Sequence, residues 1–260
     1  MAFCSETYQR YLEPGFIPFD PLELARQTEE IVCRGDRRKY TKFRCVGAYG
    51  GIATGFTCGC CLRCIFCWVH WSRDFPEEHG RFYCPAEVFN RISHIARKKR
   101  VSQLRISGAE PTIGKSHLLG VLEKVENSPF QLFILETNGI LLGADPDYAR
   151  QIARFSKVHT RVSLKAGTPA AFTQKTGAVA ESFDLPFKGI QRLMETGASF
   201  HVAAMTADSR VLDRHERQSL LDRLGSISPA LVRNLEEEVV TAYPTAVERL
   251  RHAGVKLAWD

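Results

Sequence analysis

Residues 49–68 read YGGIATGFTCGCCLRCIFCW, in which a short run typical of a β-strand leads directly into a loop with five cysteines. The cysteines of the segment 57–68 can be grouped in two ways. One grouping is an even ladder with two residues between neighbours, formed by Cys58, Cys61, Cys64 and Cys67. The other is a C-x3-C-x2-C pattern formed by Cys60, Cys64 and Cys67. The ladder supplies four thiolates to a metal centre, whereas the second pattern supplies three and leaves one coordination position open.

The placement of the cysteines favours metal chemistry over disulfides. All nine lie between Cys4 and Cys84, and this odd, clustered set is typical of a metal centre in a reducing compartment. Thiolates at this spacing select zinc or an iron–sulfur cluster. A zinc ribbon usually needs a second C-x2-C pair further along, and residues 85–260 contain no cysteine. An iron–sulfur cluster is therefore the favoured interpretation, with zinc as the alternative.

Length and composition predict an ordinary soluble protein. The 260 residues suffice for one large α/β domain or two small ones, and 44% hydrophobic with 25% charged residues is typical of a globular chain. The first residues, MAFCSETYQRYLEPG, do not have the pattern of an export leader, and no apolar run approaches the roughly 20 residues of a membrane span. We expect a cytoplasmic protein without membrane contact.

The net charge of +6 is concentrated in two basic segments, RGDRRKYTKFR (34–44) and ARKKR (96–100). Either could contact nucleic acid. The favoured interpretation is a solvated N-terminal arm for the first and the last turn of a helix for the second, where cations suit the helix dipole.

From residue 85 onward, helical and strand patterns alternate with short connections. Strands are predicted at 49–57, 102–107, 131–136, 158–165 and 199–205, and helices at 115–126, 169–176, 185–197 and 211–224, with others from residue 85 and around residues 148–155. This alternation predicts the α/β class, with a partial or complete (β/α) TIM-like barrel of parallel strands and outer helices. We divide the chain into an N-terminal extension (1–44), the barrel core (45–230) and a C-terminal helical segment (231–260).

The predicted strands carry a polar row that a buried parallel strand does not need. In VHTRVSLK (158–165), apolar residues and Thr160 alternate with polar and charged ones. Since the outer helices bury the apolar row, the polar row should face inward. The side chains expected to line an internal ligand chamber are Arg105, Arg161, Lys165 and His201.

Four short motifs follow the predicted strands. They are SGAEPT (107–112), ETNG (136–139), SLKAG (163–167) and the nearby FTQKTG (172–177). The carboxyl ends of parallel barrel strands meet at one face, where such folds carry their active sites. The cysteine loop after the first strand belongs to the same face.

Together with the C-x3-C-x2-C pattern and Phe66 before its last cysteine, these motifs resemble the signature of radical S-adenosylmethionine (radical SAM) enzymes over about residues 49–205. The resemblance implies that Cys60, Cys64 and Cys67 ligate a [4Fe–4S] cluster whose fourth iron binds the amine and carboxylate of S-adenosylmethionine. An electron from the cluster would cleave the cofactor, and the resulting 5′-deoxyadenosyl radical would abstract hydrogen from a substrate. No protein base is needed to make that radical.

The resemblance also implies roles for residues of the turns. Gly108, Ala109 and Glu110 match the family's GGEP-type turn that holds the methionyl amine, with Ala109 in place of the second glycine. The rest of the cofactor pocket is expected to comprise Phe66, Thr137, Asn138, Ser163 and Lys165. Arg161 and His201 are the predicted substrate contacts.

SLK and KTG are most similar to the branch of pyruvate formate-lyase activating enzyme, although Ser163 replaces that branch's aspartate. This similarity implies a glycyl-radical partner protein as substrate and flavodoxin or ferredoxin as electron donor. Alternatives are radical modification of tRNA or of a small polar or phosphorylated metabolite, and a ferredoxin-like electron carrier that would need Cys58 and Cys61. A second metal site built from Cys45, Cys58, Cys61 and Cys84 also stays open.

Overall fold

A largely parallel sheet organises the protein in the computed structural model, which describes residues 8–259. Its strands there are β1 (Cys33–Arg34), β2 (Arg37–Val46), β3 (Ile52–Thr57), β4 (Arg81–Tyr83), β5 (Gln103–Gly108), β6 (Leu132–Thr137), β7 (Val158–Leu164), β8 (Ser199–Ala204) and β9 (Glu236–Glu237). They pair in the order β1-β2-β3-β5-β6-β7-β8-β9, with β4 beside β2. From β3 to β9 all pairs are parallel, whereas β1, β3 and β4 each pair antiparallel with β2.

The helices are α1 (Pro21–Val32), α2 (Pro85–Lys99), α3 (Lys115–Glu126), α4 (Ile140–Ala144), α5 (Pro146–Ala153), α6 (Pro169–Thr176), α7 (Leu185–Glu195), α8 (Arg214–Ile227), α9 (Pro229–Arg233) and α10 (Pro244–His252). Many begin with a proline after a capping side chain, which suits the first turn because its amide donors have no partner in the helix. Asp20, Asp145 and Thr168 cap α1, α5 and α6 in this way.

The predicted fold class is confirmed. Strands β3 to β8 belong to a mostly parallel sheet, and the helices that connect them pack around it, as in a partial (β/α) barrel. Leu104 and Ile106 of β5 and Phe133 and Leu135 of β6 are all fully buried in one hydrophobic core with Val88 of α2. Within residues 8–259 the strand order does not close into a ring.

The basic segment 34–44 is only in part the solvated arm that its charge predicts, since Arg34, Arg37, Lys42 and Arg44 are exposed. Residues 37–46 form β2, and the side chains of Arg38 and Lys39 are buried at 0% and 8% exposure. Lys39 donates to the carbonyl oxygens of Pro76 and Glu77, and Arg38 donates to three carbonyl oxygens of other loops. These cations are therefore withdrawn from any nucleic-acid backbone. The predicted domain boundary at residue 45 falls inside β2.

The C-terminal segment 231–260 was expected to be helical, and this is correct only in part. Glu236 and Glu237 form β9, because β8 offers a free edge on which Ala203 and Ala204 pair with them in parallel. Helix α10 then runs against the cysteine loop, where the Thr245 hydroxyl donates to the Trp68 carbonyl oxygen at 3.0 Å. Among the described residues, every helix is too short or too polar to cross a bilayer.

Candidate cofactor site at the ends of the parallel strands

A cavity of about 130 Å³ lies at the carboxyl ends of β3, β5, β6 and β7. Except for Arg105 and His201, every side chain or turn that the sequence assigned to the site lines it: Cys60, Cys64, Phe66, Cys67, Gly108, Ala109, Glu110, Thr137, Asn138, Arg161, Ser163 and Lys165. The parallel strand order produces this convergence, since it brings four separate turns to one face.

The position of the cavity distinguishes between the two possible groupings of the cysteines. Cys60, Cys64 and Cys67 line its wall, whereas Cys58 and Cys61 are fully buried and do not. The Cys58 thiol donates to the His79 carbonyl oxygen at 3.7 Å, on the side of the loop near Gly80. The even ladder would therefore require two thiols that do not reach the cavity.

The cysteine loop is held by the turn after α6. The Arg63 amide donates to the Thr176 carbonyl oxygen at 2.9 Å, and the Ile65 amide donates to the Lys175 carbonyl oxygen at 3.0 Å. The Lys175 side chain is buried in an ion pair with Glu216 at 2.5 Å. The motif FTQKTG thus supports the loop and contributes no side chain to the cavity wall.

The thiols differ in how readily they lose a proton. A hydrogen bond from the Cys61 thiol lowers the pKa of Cys60 to about 7, assisted by the Leu62 amide. Burial raises the pKa of Cys64 to about 12. Metal binding displaces thiol protons, so an iron–sulfur group would hold Cys64 as a thiolate against this burial.

The donor set fits a cluster better than a single ion. Among residues 8–259, no three His, Cys, Asp or Glu side chains converge to hold one metal ion. A cluster tolerates a wider spacing of its ligands on one cavity wall, because each thiolate binds a different iron. The proposed second site is not assembled either, since Cys45 pairs with Ala53 at the start of β3 and Cys58 follows the other end of that strand.

Glu110 joins two of the turns. Its carboxylate is 2% exposed and accepts four hydrogen bonds, from the Thr112 amide at 3.1 Å, the Thr112 hydroxyl at 2.6 Å, the Thr137 hydroxyl at 2.7 Å and the Asn138 amide at 2.8 Å. Three of these reach Oε1 and one reaches Oε2. Because each carboxylate oxygen has two lone pairs, Oε2 keeps one acceptor position for a ligand.

Asn138 connects the turn after β6 to the cysteine loop. Its side-chain nitrogen donates to the Cys61 sulfur at 3.3 Å and lies 3.8 Å from the Cys60 sulfur. Its side-chain oxygen accepts the Ile140 amide at 3.0 Å, which starts α4. The amide is therefore oriented from both ends beside the thiols.

The turn after β5 requires glycine at only one of its two small residues. Gly108 has φ +98°, and a Cβ there would lie 3.1 Å from the Thr57 amide nitrogen. Ala109 does not have positive φ. Alanine in place of the family's second glycine therefore fits this turn without backbone strain.

Lys165 supplies the cavity's available positive charge. Its ammonium donates to the Ser163 hydroxyl at 2.6 Å, and no carboxylate within the described chain forms an ion pair with it. Ser163 thus orients this lysine without neutralising it.

Only one of the two predicted substrate contacts lines the cavity. Arg161 lines the cavity and forms ion pairs with Glu236 at 2.8 Å and Glu238 at 2.7 Å. His201 lies outside the cavity wall, where Nε2 contacts the Glu236 carboxylate and Nδ1 contacts His159, both at 2.7 Å. The prediction placed His201 by strand alternation alone, which cannot tell how far along the strand the cavity extends. Arg105 likewise pairs with Glu136 at 2.8 Å instead of lining the wall.

Sequence reasoning did not find several residues of the wall, among them Arg73, Glu136, Met205 and Glu238. Glu136 could have been inferred, since it belongs to the ETNG motif and accepts from Arg105 across neighbouring strands. Glu238 follows a strand that no hydrophobic pattern reveals.

The family model of the Radical SAM superfamily matches residues 54–220. A probable GTP 3′,8-cyclase of Saccharolobus solfataricus is 24% identical over 141 residues, which cover 54% of this chain and 42% of that protein. The chain spans less than half the length of the curated relatives that it matches.

Solved structures show the same fold. Streptococcus suis SuiB bound to S-adenosylmethionine superposes with a TM-score of 0.54 at 18% identity, covering 78% of this chain and 42% of that one. A spore photoproduct lyase variant superposes with a TM-score of 0.58 at 13% identity, covering 95% of this chain and 74% of that one.

Proposed function

The chain belongs to the radical SAM superfamily, whose members use a [4Fe–4S] cluster and S-adenosylmethionine, and on that premise we propose that it cleaves S-adenosylmethionine reductively to abstract hydrogen from a bound substrate. When bound, the cluster and cofactor together supply the 5′-deoxyadenosyl radical. The observation that carries the proposal is the convergence of Cys60, Cys64 and Cys67 with Lys165 on one cavity wall.

In this proposal the three cavity-lining cysteines hold the cluster, and the turns hold the cofactor. The Lys165 ammonium binds the methionyl carboxylate, because it is the wall's cation without a carboxylate partner among the described residues. The free acceptor position of Glu110 and the turn at Gly108 and Ala109 receive the methionyl amine. Thr137, Asn138 and Ser163 keep these groups in place, and buried Phe66 offers an apolar surface to the adenine.

The finer proposal is that the hydrogen comes from a glycine of a partner protein. It rests on the similarity of SLK and KTG to the activating-enzyme branch. The relatives named as GTP 3′,8-cyclases suggest a nucleotide instead. The wall favours the partner protein over the nucleotide. All three Arg73 nitrogens are engaged by Asp74 and the Cys64 carbonyl oxygen, and Arg161 pairs with two glutamates, so few donors are left for a triphosphate.

An electron donor of the flavodoxin or ferredoxin class and a reducing, cytoplasmic location complete the proposal. Every cysteine within the described residues is a free thiol, as expected in such a compartment.

Anaerobic reconstitution with iron and sulfide, reduction with dithionite and assay of 5′-deoxyadenosine test the function. We expect the wild-type protein to form 5′-deoxyadenosine and Cys60→Ala to lose both the cluster spectrum and the product. Cys58→Ala is the matched control, since it removes a thiol of the same loop that does not reach the cavity. Loss of the cluster in Cys58→Ala with retention in Cys60→Ala would reverse the assignment.

The substrate is tested by offering a glycyl-radical enzyme or GTP to the reconstituted protein. We expect a SAM-dependent organic-radical EPR signal on the partner protein and no altered nucleotide from GTP. A modified nucleotide without that signal would favour the nucleotide alternative.

A further inference from the structure

Three buried arginines each bind the backbone of one proposed cluster cysteine. Arg63 donates to the Cys60 carbonyl oxygen and Arg73 to the Cys64 carbonyl oxygen, both at 2.8 Å. Arg249 donates to the Cys67 carbonyl oxygen at 2.5 Å. All three side chains are at most 1% exposed. We refer to Arg63, Arg73 and Arg249 as the arginine cradle.

The cradle carries more positive charge than its surroundings neutralise. Arg73 and Arg249 both form ion pairs with Asp74, which is itself fully buried. Arg63 donates only to the carbonyl oxygens of Gln9, Cys60 and Leu62, and no carboxylate within the described chain forms an ion pair with it. Three guanidinium groups thus share one carboxylate. Carbonyl oxygens offset only part of the cost of burying these charges, so a further negative charge nearby would stabilise them.

The hydrogen bonds of the cradle also indicate that its positive charge is not fully compensated. Arg63 Nη2 and Arg249 Nε are buried without an acceptor among the described residues. A loop with neutral thiols therefore leaves these cations undercompensated.

Apart from Asp74, the negative charges beside the cradle would be the thiolates of the loop whose backbone it binds. The guanidinium groups of Arg63, Arg73 and Arg249 lie within hydrogen-bonding distance of the backbone of Cys60, Cys64 and Cys67, respectively. Each cation therefore lies beside the cysteine whose carbonyl oxygen it binds. In a buried setting of low dielectric constant, such interactions are much stronger than at a surface.

We propose that the arginine cradle is the built-in counter-charge of the thiolate-ligated cluster and stabilises its reduced form. This inference rests on the proposed function, because it needs the cluster to be held by Cys60, Cys64 and Cys67. Reduction transfers one electron from the donor to the cluster and makes the loop more negative by one charge. Nearby cations favour that added charge, and net charge is one of the factors that set cluster potentials.

The cradle also makes the C-terminal helix part of the site. Arg249 lies on α10, 182 residues from Cys67, and also donates to the Val69 carbonyl oxygen at 2.6 Å. The guanidinium therefore acts as a positioning group, since it touches the loop backbone and neither the cavity nor a substrate.

The test distinguishes the effect of the positive charge of Arg249 from the effect of its hydrogen-bonding geometry. Holoprotein carrying Arg249→Gln loses the positive charge, whereas Arg249→Lys keeps the charge and loses the planar fork. Arg192→Gln is the matched control, because Arg192 also binds two carbonyl oxygens, those of Leu142 and Gly143, away from the loop. The readout is the midpoint potential of the cluster from an EPR-monitored redox titration with dithionite.

We expect Arg249→Gln to lower the ratio of reduced to oxidised cluster at fixed potential about tenfold, a shift of about 59 mV to more negative potential. Arg63→Gln should shift the potential in the same direction, while Arg249→Lys and Arg192→Gln should stay close to wild type. If Arg249→Gln fails to hold a cluster and Arg249→Lys holds one, the charge requirement is supported.

The proposal is overturned if the glutamine variants keep the wild-type potential, or if Arg249→Lys loses the cluster together with Arg249→Gln. Either outcome would leave the function intact as long as the wild-type protein forms 5′-deoxyadenosine. A wild-type protein that holds no cluster would instead refute the proposed function itself.

Discussion

The Glu110 carboxylate accepts the Asn138 backbone amide at 2.8 Å and so joins the turn after β5 to the turn after β6. Since Asn138 in turn donates to the Cys61 sulfur, one buried carboxylate connects both turns to the cysteine loop. The relative position of the three segments that line the cavity therefore depends on Glu110.

Replacing Glu110 by alanine should destabilise the apoprotein by about 3 kcal/mol, because buried donors of Thr112, Thr137 and Asn138 lose their acceptor. Glu110→Gln should cost less, since its amide oxygen still accepts. Urea unfolding followed by circular dichroism measures both, with exposed Glu123→Ala on α3 as the control. Equal stability of Glu110→Ala and Glu123→Ala would contradict the linking role.

Of the neighbouring residues Gly108 and Ala109 in the turn after β5, only the first position requires glycine. Gly108→Ala should destabilise the protein by about 2 kcal/mol, because φ +98° and the 3.1 Å approach to Thr57 both oppose a side chain. Ala109→Gly should change stability by less than about 1 kcal/mol. Thermal unfolding of the two variants checks the contrast, and the opposite order would show that the turn is built differently.

Lys165→Met should raise the KM for S-adenosylmethionine at least about tenfold, because it removes the wall's unpaired cation. Lys165→Arg should retain most of the affinity, and Ser163→Ala should have a smaller effect, since Ser163 only orients the ammonium. Rates of 5′-deoxyadenosine formation at varied S-adenosylmethionine measure all three. An unchanged KM in Lys165→Met would remove Lys165 from the cofactor site.

Local patterns predicted the parallel half of the fold well. The helices at 115–126 and 169–176 have the predicted bounds, and β5 to β8 begin and end within one residue of prediction. The regular spacing of apolar residues in these elements shows directly which side chains face the core. For the same reason the turns after these strands, and with them most of the cavity wall, could be anticipated.

The antiparallel strand β2 and the arginine cradle could not be predicted, because contacts distant in sequence determine both. RRKYTKFR has the composition of a solvated segment, and only the carbonyl oxygens of Cys58, Glu110 and Ile113 make Arg38 a buried residue. Arg249 likewise has the appearance of a surface residue of a helix until α10 is placed on the loop. His201 stays a prediction as a substrate contact, and it lies off the cavity wall because alternation gives the face of a strand and not the depth of a cavity.

His117 should make the stability of the protein depend on pH. It lies buried on α3, where Nδ1 donates to the Asp36 carbonyl oxygen at 2.7 Å and Nε2 accepts the Tyr40 hydroxyl at 3.0 Å. Burial and the nearby Arg38 lower the pKa of His117 to about 4, against about 6.5 in an unfolded chain. Between these values the unfolded state binds the additional proton, so the free energy of unfolding falls as pH decreases from about 6.5 to about 4.

We expect His117 to account for a loss of about 2 kcal/mol in the free energy of unfolding between pH 7 and pH 5. His117→Gln should remove this part of the pH dependence, because its amide can make both hydrogen bonds and does not titrate. Urea unfolding of the apoprotein at both pH values measures the difference, and His94→Gln on the exposed side of α2 is the control. If His117→Gln and wild type lose the same free energy over this interval, the buried histidine is not neutral in the folded protein and the assigned hydrogen-bond pattern around Tyr40 is wrong.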